Sequence, residues 1–216
     1  INLEMINKSA YRLYGRTKGR KKKYSNVFSK IRLKTIDKKK NYIIDIGAGF
    51  GESTIDLAKA NKDKLVICCE KYIDGLNSLF NKAQSQSLEN ILIYQGNVHQ
   101  LLDEHFEEDC ISQIWILFPD PWPKKRHFKR RLIDKLFFAK IQKYLKKGST
   151  INIASDSKSY ISQILEIVHN IKQDFGWINQ SKLEWDYNPK ILPETKYFKK
   201  ALKNGRNAFF AKLEKL

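Results

Sequence analysis

The sequence has little cysteine, few acidic residues for its many bases and no long apolar run, and each shortage excludes a class of protein. Three cysteines, two of them adjacent (Cys68 and Cys69), supply neither a disulfide framework nor a spaced metal site. No apolar run reaches the ~20 residues that span a bilayer, and no signal peptide opens the chain. We therefore expect a cytoplasmic protein with no membrane segment and no bound metal. Because the sequence begins at Ile1 rather than methionine, we also expect that it is truncated at its N terminus.

The shortage of acidic residues is concentrated in two segments. Among 216 residues, 41 are Lys or Arg and 23 are Asp or Glu, which gives a net charge of +18. Residues 1–40 hold 14 of the bases and only two acids, and residues 124–131 hold six bases and no acid. A polyanion responds to local potential, so this segregation favours a nucleic-acid partner over a small acceptor. For residues 1–40 alone, general lysine enrichment of a solvated arm is an open alternative.

Short apolar runs alternate with segments of helical periodicity from Tyr42 nearly to the C terminus. The runs predict five strands, at residues 42–46, 65–69, 91–94, 114–118 and 150–154. The periodic segments predict five helices, at residues 53–61, 73–84, 99–105, 132–145 and 160–175. Strands this apolar are covered on both faces, which is typical of a parallel sheet with crossover helices.

The C-terminal pattern differs, because residues 182–187 and 207–213 both predict strands and the segment between them predicts a loop. The fold expected for residues 41–216 is therefore α/β: a doubly wound, mostly parallel seven-stranded sheet with one antiparallel edge strand. Residues 1–40 are expected to form a basic N-terminal arm with one short helix between residues 25 and 40.

The first predicted strand runs into a glycine-rich turn, residues 45–51, which indicates a nucleotide-like ligand. Its G-x-G-x-G spacing lacks the third glycine of a dinucleotide motif. A ligand-facing Asp45 carboxylate would repel a pyrophosphate and attract a sulfonium or ammonium group. Glu70 ends the second strand, where it could accept both ribose hydroxyls or cap the following helix. Asn97 follows the third strand, where it could bond an adenine edge.

The fourth strand runs into Phe118-Pro119-Asp120-Pro121-Trp122-Pro123, followed by the basic run Lys124 to Arg131. The two prolines fix φ on either side of Asp120 and hold its carboxylate in one direction. Ligands of open α/β sheets bind at this edge, so Asp120 is a candidate site residue, the alternative being a turn carboxylate that caps an amide. The basic side chains most simply contact phosphate, and Trp122 either braces the motif or stacks.

The chain resembles the tRNA (guanine-N7-)-methyltransferases. The resemblance is carried by the turn at 45–51, Glu70, residues 118–131, residues 154–156 and residues 195–197. These enzymes use S-adenosylmethionine to modify the variable loop of tRNA. The resemblance covers residues 42–212. It implies a Rossmann-like class I methyltransferase that moves the methyl group of S-adenosylmethionine to guanine N7.

The resemblance also implies a role for each matched position. The implied catalytic residue is Asp120. The implied cofactor-binding residues are Asp45, Gly47, Gly49, Gly51, Glu70, Asn97 and Asp120. The implied substrate-binding residues are Lys124, Asp156, Thr195, Lys196, Tyr197 and Phe198, and the implied RNA-binding residues are Arg126, Lys129, Arg130 and Arg131. Two positions depart from the family pattern, since Asn97 replaces the usual aspartate and Phe198 the usual glutamate.

The chemistry fits these positions. Guanine N7 carries a lone pair and no proton, so its methylation needs orientation rather than a general base. We expect Asp120 to accept from the guanine N1–H and N2–H edge and to offset positive charge on the ring, with Asp156 sharing the first task. The expected partner is tRNA, bound by a monomer or weak homodimer. The alternatives are a nonenzymatic RNA-binding protein with a degenerate fold, or a methyltransferase of another RNA.

Overall fold

The computed structural model describes residues 41–216, so the predicted arm and its short helix lie outside the described residues. The seven strands are β1 (Tyr42–Ile46), β2 (Leu65–Glu70), β3 (Ile91–Gln95), β4 (Ile111–Leu117), β5 (Leu145–Ser155), β6 (Phe175–Trp177) and β7 (Phe209–Lys215). The six helices are α1 (Glu52–Ala60), α2 (Ile73–Ser85), α3 (Val98–His105), α4 (Lys135–Ile141), α5 (Lys158–Asn170) and α6 (Lys196–Lys203). Two 3₁₀ helices occupy Lys125–Arg130 and Lys182–Trp185.

The strands form one sheet in the order β3-β2-β1-β4-β5-β7-β6. Strands β1 to β5 pair in parallel, and β7 pairs antiparallel with β5 on one side and β6 on the other. The predicted fold class is confirmed. The reversed strand β7 lies one position in from the edge, which the three-residue strand β6 occupies.

Apolar side chains cover both faces of the sheet, as the continuous apolar runs predict. Neighbouring residues of one strand point to opposite faces. Ile44 and Ile46 belong to the core beneath α3, α4 and α5, whereas Ile43 belongs to the core beneath α1 and α2. A third, smaller cluster lies under α6 and includes Leu117 and Phe198.

The C-terminal predictions were partly wrong. Residues 182–187 alternate in polarity like a strand, but Lys182–Trp185 form a 3₁₀ helix and only Asp186 bridges to Phe209. The predicted loop between the two segments contains α6 instead, and its Phe198 and Ala201 are buried. The predicted helix at 160–175 ends at Asn170, because residues 175–177 pair with β7 as β6.

The helix predicted at residues 132–145 is shorter, since α4 runs only from Lys135 to Ile141. Asp134 caps its start by accepting the backbone N–H of Phe137 at 2.8 Å. Leu145 already belongs to β5, which pairs with β4 at Ile111. Sheet pairing therefore takes Leu145, which local periodicity assigned to the helix.

Candidate functional site

The carboxyl ends of the four strands β1 to β4 surround a cavity of about 600 Å³. Each strand contributes lining residues: Gly47 and Gly49 follow β1, Glu70 and Lys71 lie at the end of β2, Asn97 follows β3, and Asp120 follows β4. Residues far apart in sequence meet here because parallel strands place all their carboxyl ends at one edge of the sheet.

The Glu70 carboxylate ties the glycine turn to the start of α2. Its Oε2 accepts the N–H of Gly49 at 2.9 Å, and its Oε1 accepts the N–H groups of Lys71 at 2.6 Å and Tyr72 at 2.9 Å. A carboxylate oxygen has two lone pairs, so Oε2 keeps one for a ligand hydroxyl. The two roles expected for Glu70, bonding a ribose and organising the next helix, are therefore compatible.

Two glycines make the turn around the cavity possible. Gly49 has φ of 58°, and a Cβ at this position would lie 3.4 Å from Cε2 of Tyr197. Gly75 in α2 approaches Gly49 so closely that a Cβ on Gly75 would lie 1.8 Å from the Gly49 carbonyl oxygen. Sequence reasoning missed Gly75, and the available signal was a glycine inside a helical segment.

Asp45 and Gly51, both predicted to bind the cofactor, do not line the cavity, and cofactor binding by them stays a prediction. Asp45 is fully buried, and its Oδ2 accepts the hydroxyls of Ser53 at 2.6 Å and Thr54 at 2.7 Å in α1. Its carboxylate therefore bonds to α1 through Oδ2, whereas its buried Oδ1 has no hydrogen-bond partner within residues 41–216. Gly51, with φ of 82°, precedes α1 and lies against Leu79.

Asp45 predicts a distinct pH dependence of stability. Burial raises the pKa of Asp45 to about 6 from 3.8, although the Ser53 and Thr54 hydroxyls oppose the shift. Because the folded-state pKa is raised, the contribution of this carboxyl to stability is full below pH 4 and is lost as pH rises through 6. Two pKa units correspond to about 3 kcal/mol. We expect Asp45→Asn to remove this loss.

Urea unfolding of the unaltered protein and Asp45→Asn at pH 4, 5, 6 and 7 measures the difference directly. The free energy of unfolding of Asp45→Asn, relative to that of the unaltered protein, is expected to increase from pH 4 to about 6 and then to level off. Groups that titrate in both proteins cancel, including His99, whose pKa burial lowers to about 4. A difference that does not change with pH would contradict the assignment.

The backbone is strained at both ends of the segment that carries Asp120. Phe118 and Trp122 have φ of 54° and 41°, in the left-handed region that costs non-glycine residues about 1–3 kcal/mol each. Phe118 donates its N–H to the Ala154 carbonyl at 2.8 Å, and its ring lies 5.3 Å from that of Tyr187. Asp120 itself is exposed at the cavity wall.

The structure also corrects the prediction that Arg131 binds RNA, because this side chain is 3% exposed. Its guanidinium lies 3.6 Å from the ring centroid of Phe128 and 4.7 Å from that of Tyr160. Its Nε donates to the Pro121 carbonyl at 2.9 Å, and its Nη groups donate to Ser159 and Gln163 on α5. Arg131 therefore clamps the Asp120 segment to α5.

Arg131→Ala is expected to destabilise the protein by about 3 kcal/mol, because it leaves buried acceptors unpaired and opens a space between two rings. Arg131→Lys is expected to recover only part of this, since an ammonium lacks the planar fork of donors. The exposed neighbour Arg126 supplies the control, with Arg126→Ala expected to change stability by no more than about 0.5 kcal/mol. Equal unfolding free energies of the two alanine variants would refute the clamp.

The other basic residues of this segment that are predicted to bind substrate or RNA fall into two groups. Lys129 and Arg130 line the cavity, whereas Lys124 and Arg126 are exposed and do not line it. The Arg130 guanidinium lies 4.9 Å from the centroid of the Trp122 ring, and the centroid of the His127 ring lies 5.8 Å from it, with the two rings at 88°. Trp122 thus braces the basic 3₁₀ helix against the Asp120 segment. RNA binding by Lys124, Arg126, Lys129 and Arg130 stays a prediction.

The predicted substrate-binding residues near α6 also differ in whether they line the cavity. Lys196 and Tyr197 line the cavity, and Lys196 Nζ lies 4.5 Å from the ring centroid of Phe50. Phe198 does not, because its side chain is buried against Phe118 and Tyr187. The substrate role predicted for Phe198 is therefore corrected to packing beneath the Asp120 segment, which an apolar ring fills where a glutamate would be desolvated.

Thr195 and Asp156 are each engaged within the protein. Thr195 is buried, and its hydroxyl caps α6 by accepting the N–H of Phe198 at 3.1 Å. Asp156, at the end of β5, forms an ion pair with Arg206 at 3.1 Å and does not line the cavity. Asn97 lines the cavity, and its Oδ1 caps α3 by accepting the N–H of His99 at 2.8 Å.

Lys71 lines the cavity and is a second residue that sequence reasoning missed, although it directly follows Glu70 at a strand end. Burial lowers the pKa of Lys71, while Asp120 and Glu70 act in the opposite direction. Burial raises the pKa of Tyr197, and Asp120 adds to this effect. Asp120 therefore acts electrostatically on both Lys71 and Tyr197, which lie at the same cavity.

Among residues 41–216, no three His, Cys, Asp or Glu side chains come together in a way that could hold a metal ion. Within the same part of the chain, no helix is both long and apolar enough to cross a membrane.

The doubly wound sheet with a reversed β7 is the fold of class I methyltransferases, and the cavity lies at the ends of β1 to β4. The family model described as "Putative methyltransferase" matches residues 39–211. A tRNA (guanine-N(7)-)-methyltransferase of Polaromonas sp. is 34% identical over 77% of this chain and 68% of its own. A tRNA (guanine-N(7)-)-methyltransferase of Neorickettsia sennetsu is 32% identical over 77% of this chain and 78% of its own. The chain belongs to the tRNA (guanine-N7-)-methyltransferase family.

Solved structures resemble the fold at lower identity. The Streptococcus mutans protein SMU.1697c, solved in complex with SAH, matches with a TM-score of 0.51 and 15% identity, over 81% of this chain and 88% of that one. At this level of identity the likeness bears on the fold alone.

Proposed function

We propose that this protein transfers a methyl group from S-adenosylmethionine to N7 of a guanine in the variable loop of tRNA, and that residues 41–216 form its methyltransferase domain. One observation carries the proposal: the proline-flanked Asp120 lines the same cavity as the glycine turn and Glu70. The names of the relatives support the same substrate. An open cavity of about 600 Å³ disfavours a degenerate fold.

The residues present fit the cofactor. Gly49 lines the cavity in the left-handed conformation, with φ of 58°, and Glu70 presents a carboxylate oxygen suited to ribose hydroxyls. Gly47, Gly49, Glu70 and Asn97 would hold the cofactor at the ends of β1, β2 and β3. When bound, S-adenosylmethionine supplies an electrophilic methyl group and a positive sulfonium centre.

Asp120 would orient the guanine and stabilise its developing charge. Methylation of N7 makes the ring cationic, so a fixed carboxylate at the cavity wall lowers the energy of the transition state. The acceptor oxygens of Asp120 suit the N1–H and N2–H donors of the guanine edge. No side chain needs to remove a proton from N7, so the protein contributes position and charge.

Incubation with labelled S-adenosylmethionine and unmodified tRNA, followed by mapping of the labelled nucleotide, tests the proposal. We expect label on one guanine of the variable loop. A matched tRNA with 7-deazaguanine at that position, which replaces N7 by C–H, is expected to accept none. Label on another atom, or equal label on both tRNAs, would refute the assignment to N7.

A further inference from the structure

Helix α6 presents four lysines on one face. Lys196, Lys199, Lys200 and Lys203 follow the i, i+3, i+4, i+7 spacing that places side chains along one side of a helix. We call these four residues the α6 lysine stripe. The opposite side, with Phe198 and Ala201, is buried, so all four lysines are exposed. Residues 196–206 contain no acidic side chain.

The stripe begins at the cavity. Lys196 lines the cavity, and the remaining lysines extend from it along a helix that rises about 1.5 Å per residue. The basic 3₁₀ helix reaches the same cavity through Lys129 and Arg130.

The two basic helices approach the cavity from opposite faces of the sheet. Ile116 and Leu117 are neighbours in β4 and therefore point to opposite faces. Leu117 packs in the cluster that holds Phe198 of α6, whereas Ile116 packs in the core that holds Tyr160, the ring beneath Arg131. A polyanion that enters the cavity between these helices would meet positive charge on both sides.

The ion pair that the stripe forms through Lys199 contributes little to stability. Lys199 pairs with Glu194 at 3.1 Å, but both side chains are more than half exposed, and such surface pairs stabilise a protein by at most about 1 kcal/mol. Exchanging this pair for a phosphate contact therefore costs little.

We propose that the α6 lysine stripe is a second RNA-contact surface, which holds tRNA phosphates on the side of the cavity opposite the basic 3₁₀ helix. The proposal rests on the proposed function, because it takes tRNA as the polyanion. Phosphate contacts position a nucleic acid without reading its sequence, so the stripe sets affinity rather than the choice of base.

The test uses a triple variant, Lys199→Gln, Lys200→Gln and Lys203→Gln, which leaves the cavity-lining Lys196 in place. The control variant, Lys59→Gln, Lys62→Gln and Lys172→Gln, removes the same charge from exposed positions near the end of α1 and after α5. These positions lie near the amino ends of the strands, whereas the cavity lies at their carboxyl ends. The measurements are tRNA affinity at several salt concentrations, the affinity for S-adenosylmethionine and kcat at saturating tRNA.

The stripe variant is expected to bind tRNA about tenfold more weakly and to lower the salt slope by about 2, at roughly 0.7 for each lost phosphate contact. Its cofactor affinity and kcat are expected to be unchanged, and the control is expected to bind tRNA within about twofold of the unaltered protein. An unchanged affinity and salt slope, or an equal loss in the control, would overturn the proposal.

The two proposals fail in different ways. If the unaltered protein binds tRNA without methylating it, the proposed function is wrong and the affinity comparison still decides the role of the stripe. If the unaltered protein does not bind tRNA at all, both proposals are overturned.

Discussion

Asp120→Ala is expected to lower kcat for methyl transfer by about 10²–10³-fold, the size of effect seen when one fixed group that stabilises a transition state is removed. The affinities for S-adenosylmethionine and for tRNA are expected to stay within about tenfold, because the basic side chains supply most of the attraction for the RNA. Initial rates at saturating tRNA and cofactor, with separate binding measurements, distinguish the two effects.

Two further variants sharpen this test. Asp120→Asn keeps an acceptor oxygen and removes the charge, so a rate between those of the alanine variant and the unaltered protein would separate hydrogen bonding from charge. Asp63→Ala changes an exposed aspartate in the turn before β2 and is expected to leave the rate unchanged. Because Asp120 is exposed, its loss is expected to leave the unfolding temperature nearly unchanged. An Asp120→Ala enzyme with full activity would remove this residue from catalysis.

Gly75→Ala is expected to destabilise the protein by about 3 kcal/mol, as overpacking of a tight contact does. The added Cβ would lie 1.8 Å from the Gly49 carbonyl oxygen, a backbone atom, so either α2 or the glycine turn must shift. Such a shift strains the bond from Gly49 N–H to Glu70, and we expect cofactor affinity to fall by about tenfold or more.

The sign of this effect is diagnostic. Alanine in place of glycine in a helix ordinarily stabilises a protein by up to about 1 kcal/mol. Gly176→Ala serves as the control, because its Cβ would lie 3.4 Å from Cδ2 of Leu216, and a small change is expected. Urea unfolding measures both variants, and the thermal shift with S-adenosylmethionine reports on the turn. A stabilised Gly75→Ala protein would show that the close approach is not required.

The strand core could be predicted because its signal is local. The apolar runs at β1 to β5 are nearly continuous, which is typical of strands covered on both faces. The site residues that follow these strands, Gly49, Glu70, Asn97 and Asp120, were predicted for the same reason, since parallel strands bring their carboxyl ends together.

The errors have a common cause. Arg131 lies in a run of bases that look alike in sequence, and only the rings of Phe128 and Tyr160 distinguish a buried clamp from a phosphate contact. Phe198 was assigned to the substrate by its position in a motif, whereas its neighbours in space are Phe118 and Tyr187. The direction of a side chain depends on partners that are distant in sequence.

The sequence by itself determined the alternating α/β order, the glycine turn, the proline-flanked Asp120 and the clustering of charge, because each is a property of consecutive residues. Only the tertiary structure decided that Asp45 braces α1, that Gly75 lies against Gly49, and that α6 carries lysines to the cavity. These features arise where separate segments of the chain pack together, and no pattern within one segment encodes the distance between two.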